Sequence, residues 1–299
     1  MKKTVFIIGI LALSFTVQAQ VVNNAALWAN LGYSSFLNGD KASKPLGNVG
    51  EGIGGGYELY ANGFLLQIGG EFQHLSSTMK IDDLYRVYSM ISTDNKLYDG
   101  SFYFQKNRDF QNLGSLGGVF MLGYQSEKSF YFLVGGKVFY NLFSNARTRT
   151  TVTTKAYFDN LIGENDNGIF SNFPNHGLTT TGRKIQERLE PNPVRYAGSI
   201  ELGMRINSWS ALGASYRLGF FCDFGLASLK RINYSENIIN ISKTEEFQPA
   251  LTSFLTHNTT DNNSFYTLFT GIKLTVLWGS EKGKCKCLQN MKWKHLHKK

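Results

Sequence analysis

The chain has 299 residues and a formal net charge of +9, with 31 Lys and Arg against 22 Asp and Glu. Much of that excess sits at the ends: Lys2 and Lys3 open the chain, and residues 280–299 hold seven Lys against Glu281 alone. The body between them is close to neutral, which excludes nucleic-acid binding through a globally basic face, and three Cys exclude a disulfide framework.

Lys2-Lys3, an apolar stretch from Val5 to Val17 and the small-residue site Val17-Gln18-Ala19 predict a secretion signal over residues 1–19. That stretch is shorter than the ~20 residues of a spanning helix, and no later run is long enough to span as a helix. A membrane-embedded form must then be a closed sheet, because lipid cannot satisfy open strand edges.

Eight strands follow. The first covers about 25–36, with Leu27, Ala29, Leu31 and Tyr33 on one face and Trp28, Asn30, Gly32 and Ser34 on the other. Residues 37–48 form a connection with Gly, Asp and Pro. The second strand is 49–60, Ala61-Asn62-Gly63 is a tight hairpin turn, and the third strand resumes at Phe64. A long polar connection, about 76–111, contains a projecting hairpin of Tyr85 to Ile91 and Leu97 to Phe104. A short helix over 81–91 fits the same residues.

The fourth strand is 112–124, and Gln125-Ser126-Glu127-Lys128 turns the chain into the fifth. There Phe130, Phe132, Val134, Val138 and Tyr140 oppose Tyr131, Leu133, Gly135 and Lys137. The longest connection is 144–193, in which the β-branched run Thr148 to Lys155 can extend strand five. In strands six and seven, Tyr196, Ile200, Leu202, Met204 and Ile206 pair in character with Leu212, Ala214, Tyr216, Leu218 and Phe220. Ser199, Glu201, Gly203 and Arg205 lie on the opposite face, as do Ser215, Arg217 and Gly219. Their turn is Asn207-Ser208-Trp209. A polar connection at 230–263 leads to the eighth strand, 264–278.

Connections alternate long and short, as in an up-and-down eight-stranded antiparallel transmembrane β-barrel with long extracellular loops and short periplasmic turns. Trp28, Tyr60, Phe64, Tyr124, Phe130 and Trp278 collect near the short turns and termini, where an interfacial aromatic girdle belongs. A soluble lipocalin-like barrel shares the strand count but carries its apolar face inside. The predicted organisation is a signal at 1–19, a barrel at 20–279 and a basic periplasmic tail at 280–299.

With the apolar face outward, the lumen receives Glu58, Glu71, Lys137, Glu201, Arg205, Arg217 and Lys273. An eight-strand lumen is only wide enough to be filled by side chains, so these charges need partners. A salt-bridged plug is the expectation, with Glu201 and Arg217 able to pair; an ion path lined by the same groups is the alternative.

His74 and Ser76, two apart on one strand face, resemble part of the His-x-Ser arrangement of outer-membrane lipid A deacylase barrels. No orienting acid accompanies them, and no catalytic residue is assigned. Asp82, Asp83, His176 and His257 do not assemble an omptin-like set. Cys222 reads as a small buried thiol. Cys285-Lys286-Cys287 fits a loop disulfide, a free thiol pair or an intermolecular bridge. No metal or cofactor is expected.

The chain resembles the outer-membrane β-barrel proteins of Bacteroidetes, of the small OmpA/OmpX-like kind. The resemblance lies in the eight strands, the Gln-Ala-Gln signal end and the terminal strand followed by a Lys- and Cys-containing tail. In the strand Phe269 to Trp278, Gly271, Leu274 and Val276 match the Gly-x-x-apolar-x-apolar core recognised by the barrel assembly machinery. Phe269 departs from it where a polar residue is usual. The resemblance implies a location in the cell outer membrane, contact with outer-membrane lipid and lipopolysaccharide, and the assembly machinery as a partner during biogenesis. It implies a location more than an activity. The expected role is non-enzymatic, in surface binding, adhesion or envelope structure through the loops, toward an extracellular ligand or envelope protein, because recognition usually lives on loops held by a rigid scaffold. The alternatives are a narrow solute channel or an accessory part of a secretion or uptake system; a lipid-modifying enzyme comes third.

Overall fold

The computed structural model describes residues 22–38, 43–91, 97–126, 129–158, 168–170, 180–206, 214–229, 239–241, 249–251, 253 and 264–279. The expected signal, the basic tail, Cys285 and Cys287, and the turn Asn207-Ser208-Trp209 lie outside the described residues.

Every regular element among them is a β-strand. In chain order these are β1 (Val22–Asn38), β2 (Ser43–Pro45), β3 (Asn48–Ala61), β4 (Phe64–Ile81), β5 (Leu84–Ile91), β6 (Leu97–Gln125) and β7 (Phe130–Phe158). There follow β8 (Gly168–Phe170), β9 (Thr180–Arg188), β10 (Val194–Ile206), β11 (Ala214–Gly225), β12 (Ile239–Ile241), β13 (Pro249–Leu251) and β14 (Phe265–Gly279).

Eight of them close on themselves. Antiparallel pairing runs β1–β3–β4–β6–β7–β10–β11–β14 and back to β1. Each strand pairs with its sequence neighbours in the ring, which is the up-and-down order. Closure removes the open edges that a sheet would otherwise present.

The hairpin at one end shows why the chain turns there. Asn62 and Gly63 have φ of 49° and 88°, the two left-handed positions that a two-residue turn matching strand twist requires. At the next turn Ser129 has φ 75°, and Ser126 donates its N–H to the Phe130 carbonyl at 2.8 Å.

The opposite end carries more structure than the sequence pattern suggests. The polar connection expected over 76–111 is largely strand. β4 runs on to Ile81, β5 and β6 form the projecting hairpin, and β6 then enters the ring without a break. The helix alternative for 81–91 gives way to β5. Likewise β7 continues to Phe158, and β9, within the expected 144–193 connection, returns along it. These strands build a sheet that extends the ring wall. Two register shifts hold it together, between Gln105 and Arg108 and between Gly114 and Ser115. Each inserts extra backbone and resets the alternation, as bulges do. Phe102, Phe104, Asn107, Asp109 and Gln111 consequently all face inward, although an unbroken alternation from Phe102 would turn the last three outward.

Two apolar clusters lie inside. One fills the end near the short turns: Ala26, Trp28, Leu65, Val119, Met121, Tyr131, Leu133 and Leu277. The other fills the extension and the adjoining mouth, with Phe36, Leu75, Met79, Phe102, Phe104 and Phe269 among its members. Leu251 of β13 is buried in that cluster, and Ser253 Oγ donates to Asp109 Oδ2 at 2.7 Å. The 230–263 connection thus tucks part of itself into the mouth.

Candidate functional site

Between the two apolar clusters lies a band of charge. Alternation on each strand sends one residue in two to the lumen, and the ring's stagger sets which of them meet. Six of the seven charged residues expected there are buried: Glu58, Glu71, Lys137, Glu201, Arg217 and Lys273. Arg205 is only half-buried and donates to Ser215 Oγ at 3.0 Å.

The tier nearer the extension centres on Lys137 of β7. Its Nζ lies 3.1 Å from Glu71 Oε1 and 2.8 Å from Asp223 Oδ2. Gln73 Nε2 donates to the same two carboxylates at 2.5 and 2.9 Å. β4 and β11 are four strands apart in the ring of eight, so this amide bridges the full diameter. Arg195 donates to Gln73 Oε1 at 2.8 Å and to Thr267 Oγ1 at 3.2 Å, with its guanidinium 4.3 Å from the Phe139 ring centroid. Ser199 Oγ donates to Asp223 Oδ1 at 2.6 Å.

The tier nearer the short turns holds two pairs. Glu201 accepts from Lys273 Nζ and from the Tyr131 hydroxyl, both at 2.7 Å. Arg217 donates to Glu58 across the lumen. The expected pairing of Glu201 with Arg217 is therefore not made. Glu201 stands opposite Phe221 in the β10–β11 register, and Arg217 stands opposite Arg205, so each turns to an opposite charge on a more distant strand. Tyr131 lies between them, accepting from neither but donating to Glu201 and stacking 4.7 Å under the Arg217 guanidinium.

Trp28 corrects a second expectation. It belongs to the lumen rather than to an outer girdle: it is 2% exposed and donates Nε1–H to Glu71 Oε2 at 2.8 Å. Lys273 Nζ sits 4.9 Å over its ring. Room for the indole comes from glycine. A Cβ on Gly54 would overlap the Trp28 ring, and one on Gly69 would come within 2.6 Å of it. A Cβ on Gly219 would likewise overlap the Tyr131 hydroxyl. Tyr60 also packs inward, leaving Phe64, Tyr124, Phe130 and Trp278 on the outside of the ring.

Within the band the charges balance: four carboxylates (Glu58, Glu71, Glu201, Asp223) face four cations (Lys137, Arg195, Arg217, Lys273), while Asp109, buried in the extension, accepts from Gln111, Thr148 and Ser253. Arg195, Asp223, Gln73 and Tyr131 were not among the expected charged set. The positions of Arg195 and Asp223 follow from parity, since Tyr196 and Cys222 point outward and their neighbours must point in, and Gln73 and Tyr131 share the parity of Glu71 and Lys137 on their own strands.

Other expected groups do not converge. His74 Nδ1 is 3.3 Å from Glu51 Oε1, and Ser76 Oγ donates to Asn112 Oδ1 at 2.8 Å. The two residues face outward on β4 and each has its own partner, so no nucleophile–base contact forms between them. Cys222 is exposed on the outer face rather than buried. Among the described residues no group of three or more His, Cys, Asp or Glu is placed to hold a metal.

The outside of the ring is apolar. Leu27, Leu31, Ile53, Tyr57, Ile68, Leu116, Phe120, Val134, Tyr140, Ile200, Leu218, Phe220 and Leu274 are all well exposed. No helix among the described residues is long and apolar enough to cross a membrane.

No family model and no curated protein sequence matches the chain. Among solved structures, Ail, the attachment invasion locus protein of Yersinia pestis, in complex with the heparin analogue sucrose octasulfate, aligns with 85% of this chain and 98% of its own. The TM-score is 0.25 and the identity 8%, a likeness that carries no inference about this chain.

Proposed function

We propose that the protein is an integral outer-membrane β-barrel, closed by a charged side-chain plug, that presents the sheet beyond its ring to the outside for surface binding. The observation that carries this reading is the inverted polarity of the ring. Nine charged side chains are buried inside, eight in the band and Asp109 in the extension, while large apolar side chains stand exposed all around the ring. A protein folded in water buries apolar groups and seldom buries charges, and a continuous exposed apolar belt marks contact with another apolar phase. On β10 the outward apolar residues run from Val194 to Ile206. That is about 40 Å of strand, or roughly 30 Å along the ring axis at the usual tilt, enough to cross a hydrocarbon layer.

Closure of the lumen follows from the pairing. The band of opposed charges, Gln73 across the diameter and the apolar clusters above and below leave each buried ion with partners. This supports a plug over the channel alternative, and the separate engagement of His74 and Ser76 supports a non-enzymatic role. The long-connection end carries the extension and takes the outside, because recognition usually resides on loops and projections held by a rigid scaffold.

The test is thiol labelling in a background free of native Cys. Cysteines at Asn62 and Ser126 should be shielded from an impermeant reagent on intact cells, whereas one at Lys184 should label. Labelling of the two turns with protection of Lys184 would invert the orientation; extraction of the protein as a soluble species would end the membrane reading.

A further inference from the structure

The extension carries a feature that the net charge conceals. Reading the pairing register across five strands gives Lys44 opposite Lys80, Lys80 opposite Arg108, Arg108 opposite Arg149, and Arg149 opposite Lys184. Five cations thus form one unbroken row perpendicular to the strands, from β2 through β4, β6 and β7 to β9. All five are exposed on the same outward face. At the usual spacing between strands the row is about 19 Å long.

Like charges directly opposite on neighbouring strands are destabilising, and here four such pairs follow in succession. No carboxylate of a described residue makes an ion pair with any of them. The acids closest in sequence do not relieve the row: Asp109 faces inward and Asp82 follows the end of β4. Arg149 is six residues along β7 from Phe143, the last exposed apolar side chain before it on that strand. That distance is roughly 20 Å of strand, so the row lies beyond the apolar belt.

A second row runs parallel to it on the same face. Tyr85 pairs with Tyr103, Tyr103 with Thr153, and Thr153 with Thr180. Thr153 and Arg149 are four residues apart on β7, about 13 Å. Tyr85 and Tyr103 are exposed. In this row the Tyr103 hydroxyl donates to Asp83 Oδ2 at 3.2 Å, and the Thr153 and Thr180 hydroxyls bond one another at 2.9 Å. These oxygens keep lone pairs that can accept, and the exposed tyrosine faces suit an amphipathic ring. Phe110, the aromatic beside the cation row, is covered by the Arg149 guanidinium at 5.4 Å, which leaves no open slot there for stacking a base.

We propose that this outward face binds a linear acidic polysaccharide, its sulfate or carboxylate groups on the row Lys44–Lys80–Arg108–Arg149–Lys184 and its sugar hydroxyls toward Tyr85, Tyr103, Thr153 and Thr180. The proposal rests on the reading that the extension faces outward from an outer-membrane barrel, and it names the ligand class of that surface.

The test uses the full-length barrel in detergent micelles with dextran sulfate as probe, neutral dextran and an oligothymidine strand as comparisons, and salt titration as readout. Wild type should bind dextran sulfate with steep salt dependence and should not bind dextran. Arg108→Gln with Arg149→Gln, at the centre of the row, should weaken binding by at least about tenfold and lower the salt slope by about two, one for each cation removed. Arg86→Gln with Lys155→Gln removes two exposed cations off the row and should change little. Equal losses in the two double variants would refute the row, because general charge would then account for binding. Oligothymidine bound as tightly as dextran sulfate would refute the polysaccharide assignment. Heat-modifiable migration of each variant establishes that the barrel is folded. If Cys at Lys184 labels on intact cells but dextran sulfate does not bind, this inference fails alone; if it does not label, the outward orientation beneath it fails first.

Discussion

Replacing Lys137 with Met removes the cation that Glu71 and Asp223 share, while keeping most of the side-chain volume. The two carboxylate oxygens both bond the one Gln73 nitrogen, at 2.5 and 2.9 Å, so they stand no more than about 5 Å apart. Two like charges at that distance repel by about 3 kcal/mol at an effective dielectric of ~20. Breaking a buried ion pair by removing one partner typically costs about 3–5 kcal/mol. These two figures describe overlapping parts of one loss, so the expected destabilisation of Lys137→Met is about 4 kcal/mol, close to a thousandfold in the folding constant. Adding Glu71→Gln should restore about half of it, since Asp223 keeps Ser199 and Gln73 as donors. The assay is reversible urea unfolding in detergent or lipid vesicles, followed by tryptophan fluorescence and by heat-modifiable migration. A loss below about 1 kcal/mol, the range of solvated pairs, would show that water reaches these charges, and the plug would have to be abandoned. Steady single-channel conductance by wild type in planar bilayers would lead to the same conclusion independently.

Four further outcomes follow from the lumen and the belt. A double-mutant cycle on Glu58→Gln and Arg217→Met should give a coupling energy of about 1–3 kcal/mol, and the cycle on Glu201→Gln and Arg217→Met a smaller one; the reverse order would contradict the observed pairing. Trp28→Phe keeps an aromatic ring, though a smaller one, but loses the donor to Glu71, so urea unfolding should show a loss of at least about 1.5–3 kcal/mol. Gly54→Val should destabilise by about 1–3 kcal/mol or more through overpacking against the indole, and Trp28→Ala should offset part of that in the double variant. Native Cys222 should react with a lipid-soluble maleimide in membranes but not with an impermeant one on intact cells, and labelling by the impermeant reagent would take its strand out of the lipid-facing belt.

The strands themselves were legible because their signal is local. A period of two requires only a few consecutive residues, and Ile200 to Ile206 or Phe130 to Tyr140 state it without reference to anything distant. The Asn62-Gly63 turn was legible for the same reason, as its left-handed backbone demands those residue types. Parity alone also assigns Glu58, Glu71, Lys137, Glu201, Arg217 and Lys273 to one face, and at the strand ends the same alternation places Arg195 and Asp223 there.

Partner choice inside the lumen is of another kind. Glu58 and Arg217 are 159 residues apart and meet across the ring, while Glu201 passes over its neighbour strand's Arg217 for Lys273 and Tyr131. Which heights coincide depends on the stagger with which eight strands close, and that quantity belongs to the whole ring rather than to any segment. The bulges at Gln105–Arg108 and Gly114–Ser115 are not legible in the sequence because an inserted residue resembles a lapse in alternation until the partner strand shows the register. For the same reason the polar residues of 76–111 and 144–193 read as loops. Their apolar partners, Phe102, Phe104 and Val152, are buried only once β5, β6, β7 and β9 lie side by side. The sequence alone therefore determined the strands of the ring, their two faces and most of the charges inside it. The pairing of those charges, the length of the wall and the row of cations upon it were decided by closure and register, because each depends on which residues from distant strands come to the same height.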